Sequence, residues 1–135
     1  MIRENLINSI DHIVLVTRDM KKTIFFYKNI LGMRLEKFIS IKEGEERYCL
    51  KFGTQKINLH SIECPYIPHA KNIASGTLDI CFLSSITIKE WEKILAEFKI
   101  KVEEGPLERM GANGKILSIY IRDPDQNLIE ISNKI

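Results

Sequence analysis

The chain of 135 residues predicts an α+β fold, two β-α-β-β-β modules forming an open, curved mixed sheet. Two observations predict it. The apolar pattern switches from strand-like to helical spacing and back, in the same order, twice. The two runs are separated by a linker at 63–75 that holds Pro65, Pro68 and His69 and shows little periodicity. The modules are expected at about 9–62 and 76–133, within a single domain.

In the first module, Ile10–Val16 is rich in β-branched residues and reads as a strand. Asp19 is placed to cap a helix over Lys21–Leu31. There Ile24, Tyr27, Ile30 and Leu31 recur at helical spacing, and Gly32 supplies the stop. Phe25, Phe26 and Tyr27 cannot all face one side of that helix, so Tyr27 and Phe26 are assigned to the core. Three strands follow, at Arg34–Ile41, Arg47–Phe52 and Lys56–Ile62, with turn signals at Glu43-Gly44-Glu45 and Gly53-Thr54-Gln55.

The second module repeats the order. Thr77–Leu83 reads as a strand, and Ile88–Phe98 as a helix with Trp91, Ile94, Leu95 and Phe98 on one face. Three strands are expected at about Lys101–Glu104, Ile116–Arg122 and Leu128–Ser132. Gly105-Pro106, Gly111–Gly114 and Asp123-Pro124-Asp125 punctuate them, and Glu104–Gly114 reads as a Gly-rich loop.

An apolar fraction of 44% and a charged fraction of 28% suit an ordinary packed domain. The net charge of +2 is small and the lysines are scattered, which argues against nucleic acid and anionic membrane as partners. No run of apolar residues is long enough to span a bilayer, the first residues lack the apolar block of a signal peptide, and a cytoplasmic location is expected. Cys49, Cys64 and Cys81 are odd in number and irregularly spaced, and are read as small hydrophobes in a reducing compartment. An open sheet leaves an edge that invites pairing, so a homodimer is expected.

Two polar residues stand inside apolar strands. His12 lies in the first strand and Glu130 in the last. A buried carboxylate is costly unless it is paired, hydrogen-bonded or bound to a cation. Aligning Ile13 with Ile80 sets His12 opposite Asp79 in the repeat, and aligning the last strands sets Asn58 opposite Glu130. The repeat thus makes His12, Asn58, Asp79 and Glu130 a four-position constellation. His60, two residues beyond Asn58, faces the same side of its strand and offers a second imidazole.

The modules resemble the vicinal-oxygen-chelate superfamily, which includes glyoxalase I, extradiol dioxygenases and the bleomycin-resistance proteins. The likeness rests on Asp11-His12-Ile13-Val14-Leu15-Val16, on Phe25-Phe26-Tyr27-Lys28-Asn29-Ile30-Leu31-Gly32-Met33, and on Arg122-Asp123-Pro124-Asp125-Gln126-Asn127-Leu128-Ile129-Glu130-Ile131. It covers nearly the whole chain. Phe52–His60, Glu104–Ala112 and Ser118–Pro124 are similar to the branch called glyoxalase domain-containing protein five.

The resemblance implies one divalent metal ion (Fe, Mn, Zn or Ni) with His12 and Glu130 as ligands. Asp79 stands where metal-binding members usually have His or Gln, and Asn58 where they often have Glu. Two imidazoles and a carboxylate suit such an ion, so His60 and Asp79 join the expected ligand set. Either Glu130 or Asp79 is the expected proton-transferring base. Arg109 is a candidate for binding an anionic substrate and Asn58 a candidate substrate contact. Arg122 is read as structural, paired with a nearby carboxylate, His69 as solvated, and Trp91 as helix packing. Three functions are compatible with this set. The first is a metal-dependent lyase or isomerase acting on a small vicinal-oxygen or α-oxo compound. The second is an Fe(II) extradiol-type dioxygenase, and the third a metal-free small-molecule binding or resistance protein.

Overall fold

The computed structural model describes residues 2–42 and 44–135; Glu43, part of the first predicted turn, lies outside them. Strand β1 (His12–Thr17) shows how the sequence builds each sheet. Leu15 and Thr17 are buried on one side with Ile13, while His12, Val14 and Val16 take the other. The chain then enters α1 (Met20–Ile24), capped by the Asp19 carboxylate, which accepts from the Lys22 amide. The helix widens into a π-helical segment over Phe25–Ile30. Phe26 and Tyr27 both face inward there, while Phe25 stays half-exposed against Phe98.

Strands β2 (Arg34–Ile39), β3 (Glu46–Phe52) and β4 (Gln55–Ser61) complete the first module in the order β1-β4-β3-β2, with β1 parallel to β4. The second module repeats the plan. It comprises β5 (Asp79–Leu83), α2 (Ile88–Glu97), β6 (Glu104–Gly111), β7 (Gly114–Arg122) and β8 (Leu128–Lys134), with sheet order β5-β8-β7-β6 and β5 parallel to β8. Helix α2 opens on a capping box, in which the Thr87 hydroxyl accepts from the Glu90 amide and the Glu90 carboxylate accepts from the Thr87 amide. The α+β reading in two modules therefore holds, each module carrying its own mixed four-stranded sheet.

One expectation changes with consequence. Gly105-Pro106 reads in the sequence as a break, yet β6 runs through it to Gly111. Gly105 takes φ +102, and a β-carbon there would collide with the Ser118 carbonyl. The ladder bulges between Glu104 and Leu107 and then resumes. This puts Arg109 on a strand rather than in a loop.

The helix-facing sides of both sheets bury one apolar cluster, including Leu15, Leu50, Ile57 and Leu59 from the first and Ile119, Ile121, Ile129 and Ile131 from the second. Tyr27, Trp91 and Leu95 from the helices fill it. The Trp91 indole N–H finds the Ser84 hydroxyl at 2.8 Å.

The segment Asp123–Asn127 joins the modules. The Tyr27 hydroxyl donates to the buried Asp123 carboxylate at 2.7 Å, and that carboxylate also accepts from the Asn127 side-chain amide and from the amides of Asp125 and Asn127. Asp125 accepts from Arg18 Nε and backbone N, and Asn127 Oδ1 accepts from the Leu78 amide. These carboxylates are structural, fully engaged in holding the β7–β8 turn against α1 and β1. Among the described residues no helix is long and apolar enough to cross a membrane.

Candidate functional site

The face of each sheet that points away from the helices carries the polar constellation. In the second module, strand periodicity places Asp79, Cys81 and Leu83 of β5, Glu130, Ser132 and Lys134 of β8, and Tyr120 of β7 on this outer face. Cys81 and Tyr120 flank Glu130 on the neighbouring strands. Glu130 Oε2 accepts from the Ser118 hydroxyl at 2.6 Å, and Ser118 is in turn 2.6 Å from Ser132. Burial pushes the Cys81 thiol up, and the Glu130 charge adds to the effect, so Cys81 is held as a neutral thiol 3.2 Å from the Ser132 hydroxyl. Beyond these residues a cavity of about 560 Å³ opens, lined by Glu130, Tyr120, Arg109, Met110, Ile116 and Lys134 among others.

In the first module the outer face carries His12, Asn58 and His60. His12 Nδ1 lies 2.8 Å from Asp11 Oδ2, and this hydrogen bond holds the Asp11 carboxyl below the usual carboxylate range. The Asn58 Oδ1 is buried with no hydrogen-bond partner among the described residues. His60 is buried under the Tyr66 ring, whose centroid is 4.9 Å away and which also carries the Arg47 guanidinium at 3.7 Å. Burial lowers the His60 pKa, with Arg47 and His69 adding to it.

The donor set fits a divalent ion in part. An imidazole whose Nδ1 is engaged by a carboxylate presents Nε2 as a ligand, the orientation that metal-bound histidines commonly have. Glu130 supplies a carboxylate and Asp79 a second, diagonal to it on the same face. Asn58 bears the same diagonal relation to His12 that Glu130 bears to Asp79. Among the described residues of one chain, however, no three His, Cys, Asp or Glu side chains gather where an ion could sit.

The register separates His12 from His60. His12 pairs with Lys56, four residues before His60 on β4, a rise of roughly 13 Å. Side chains stand nearly perpendicular to a sheet, so the two rings stay far beyond the ~4 Å that two nitrogens on one ion span. The expectation that His60 supplies the second imidazole beside His12 is not met, because sharing a face does not bring residues within reach along it.

Other placements follow the chemistry of each side chain. Arg122 forms a two-pronged pair with Glu103 at 3.0 and 3.2 Å, as a structural arginine should. His69 is exposed and bonded to the Ala70 carbonyl. Cys49 is buried, whereas Cys81 is not a core hydrophobe but a member of the outer face. Arg109 donates from Nε to the Tyr120 hydroxyl at 3.0 Å and lies beside the cavity. Asp11, Tyr120, Cys81 and Ser118 are not candidate site residues by sequence alone. Asp11 had a signal in its adjacency to His12. The other three become visible only when β5, β8 and β7 are in register.

A family model described as "Glyoxalase/Bleomycin resistance protein/Dioxygenase superfamily" matches residues 9–131. The chain is 44% identical over 130 residues to Virulence protein STM3117 of Salmonella typhimurium, covering 96% of this chain and 87% of that protein. The crystal structure of STM3117 superposes with a TM-score of 0.89 at 44% identity, covering 97% of this chain and all of that one (100%). Glyoxalase domain-containing protein RDO1 of Mycosarcoma maydis is 46% identical over 131 residues, covering 97% of this chain and 71% of that protein. An integron cassette protein structure from the V. cholerae mobile metagenome matches at 40% identity and a TM-score of 0.88, covering 96% of this chain and 97% of that one.

Proposed function

Because the chain belongs to the glyoxalase/bleomycin resistance/dioxygenase superfamily, we propose that it is a metal-dependent enzyme of glyoxalase type. It would act as a lyase or isomerase on a small vicinal-oxygen or α-oxo compound. The observation that carries this reading is the Asp11–His12 pair at 2.8 Å, which engages Nδ1 and so supports Nε2 as the coordinating nitrogen. His12 and Glu130 are the proposed ligands, with Asp79 as a third. Since one chain does not gather them, the site is completed in a homodimer, with the first module of one copy facing the second module of the other. The bound ion would polarise the substrate carbonyl.

The remaining roles belong to the protein. Glu130, held by the Ser118 hydroxyl, is positioned to move a proton on the carbon beside that carbonyl. Asn58 Oδ1, a buried acceptor with no donor among the described residues, is suited to receive a substrate hydroxyl. The dioxygenase alternative loses support, since His12 and His60 stand too far apart along the face to act together. A metal-free binding role is the second reading, favoured by the lack of a gathered ligand set among the described residues of one chain.

Metal content and turnover test the proposal. The dimer should bind a divalent ion, His12→Ala should lose it, and Glu130→Gln should abolish turnover. Mixing His12→Ala with Glu130→Gln should restore activity through heterodimers that regain one intact site. Full turnover in chelated, metal-free protein would sink the proposal, and a protein with no affinity for any divalent ion would favour the binding role.

A further inference from the structure

The cavity over the second module's outer face has a chemistry that the proposed reaction leaves unused. One part of its wall is apolar, with Leu83, Met110 and Ile116. Another part carries Arg109 and Lys134, two cations on the face where Glu130 supplies an anion. Arg109 is not a loose surface arginine. Its Nε donates to the Tyr120 hydroxyl at 3.0 Å, and its guanidinium carbon lies 5.6 Å from the Tyr120 ring centroid. Its Nη2 is 3.7 Å from Glu104, and Nη1 has no hydrogen bond among the described residues.

Tyr120 is the strand partner of Glu130, so the phenol holds the guanidinium at the wall of the same cavity that the carboxylate assigned to proton transfer lines. A guanidinium restrained in this way loses less entropy on binding, and its planar fork matches a carboxylate. Glu130 alone would repel an anionic substrate, and Arg109 with Lys134 offsets that charge at the cavity wall.

We propose that Arg109, positioned by Tyr120, clamps a carboxylate of the substrate, and that the substrate class is α-oxo acids with a short apolar tail. The tail rests on Leu83, Met110 and Ile116 while the oxo carbon lies toward Glu130. The assignment deepens the glyoxalase-type reading and rests on it for the role of Glu130. Arg109 touches substrate, and Tyr120 is a positioning residue.

The test is calorimetric titration with α-ketoisocaproate and with its neutral methyl ester, in chelated protein and again with Mn(II). The acid should bind at least tenfold more tightly than the ester. Arg109→Gln should weaken the acid by about tenfold to a hundredfold, the range for a charge-assisted hydrogen bond, and leave the ester unchanged. Tyr120→Phe should narrow the acid–ester ratio by a smaller factor, which a merely structural role would not do. Arg122→Gln, whose guanidinium is occupied by Glu103, should keep the ratio.

Equal binding of acid and ester, binding of neither under both conditions, or an undiminished ratio in Arg109→Gln overturns the clamp. Acid preference in a protein that binds no metal keeps the clamp and removes the metal-dependent reading. Mn(II) binding through His12 and Glu130 without acid preference removes the clamp alone.

Discussion

Asp11 and His12 show how much one neighbour decides. The Asp11 carboxylate selects the Nδ1-engaged state of the ring and so leaves Nε2 for a ligand. Losing such a partner commonly lowers metal affinity by about tenfold to a hundredfold, and Asp11→Asn should do so in a metal titration while the fold stays intact. Tyr27 is a residue of the opposite kind. It is wholly buried, its hydroxyl serves the Asp123 carboxylate, and burial together with that carboxylate pushes its pKa far up, so it donates throughout the physiological range. Tyr27→Phe should cost about 1–3 kcal/mol in urea unfolding, because a buried carboxylate loses a donor, with no change in ligand binding.

At the scale of elements, local chemistry sets the ends of helices and strand register sets the site. Helix α2 is nucleated by the Thr87–Glu90 box, and Thr87→Ala should lower stability by about 1 kcal/mol in thermal or urea unfolding. Much of this was legible in advance. Asp19 caps the first helix and Gly32 follows the π-helical segment as its composition suggested. The segment after the second helix differs from its sequence pattern, because Gly105-Pro106 carries every mark of a turn yet lies within β6. The Ser118 carbonyl against Gly105 explains why a glycine is needed inside a strand there, and that contact exists only once β6 lies on β7. The face of each candidate was legible from period-two alternation, but its height along the strand was not, and height is what divides His12 from His60.

For the molecule as a whole, the segment around Tyr66 and the first module's outer face form one pH-sensitive contact. Burial and the Arg47 and His69 charges depress the His60 pKa below its ordinary 6.5. The unfolded chain then binds the proton more readily than the folded one, so His60 contributes stability above pH 6.5 that is lost as the pH falls toward the depressed value. In chelated protein the unfolding free energy should decline on acidification below about pH 6.5, and His60→Gln should flatten that part of the profile. A wild-type profile with no slope there would show that the imidazole is not desolvated in solution.

The sequence by itself determined the duplicated β-α-β-β-β plan and the core helices, because these follow from periodicity and local capping within one segment, and its motifs carried the resemblance to the family. Tertiary structure decided the rest. Asp123, Asp125 and Asn127 proved to be a joint between modules, since their partners Tyr27, Arg18 and Leu78 lie far away in the chain. Tyr120 became the support of Arg109, and Cys81 the neighbour of Glu130, through strand pairing alone. The physical reason is that a strand's own pattern fixes which side a residue faces, whereas distance between functional groups depends on register, and register is a property of pairs of strands.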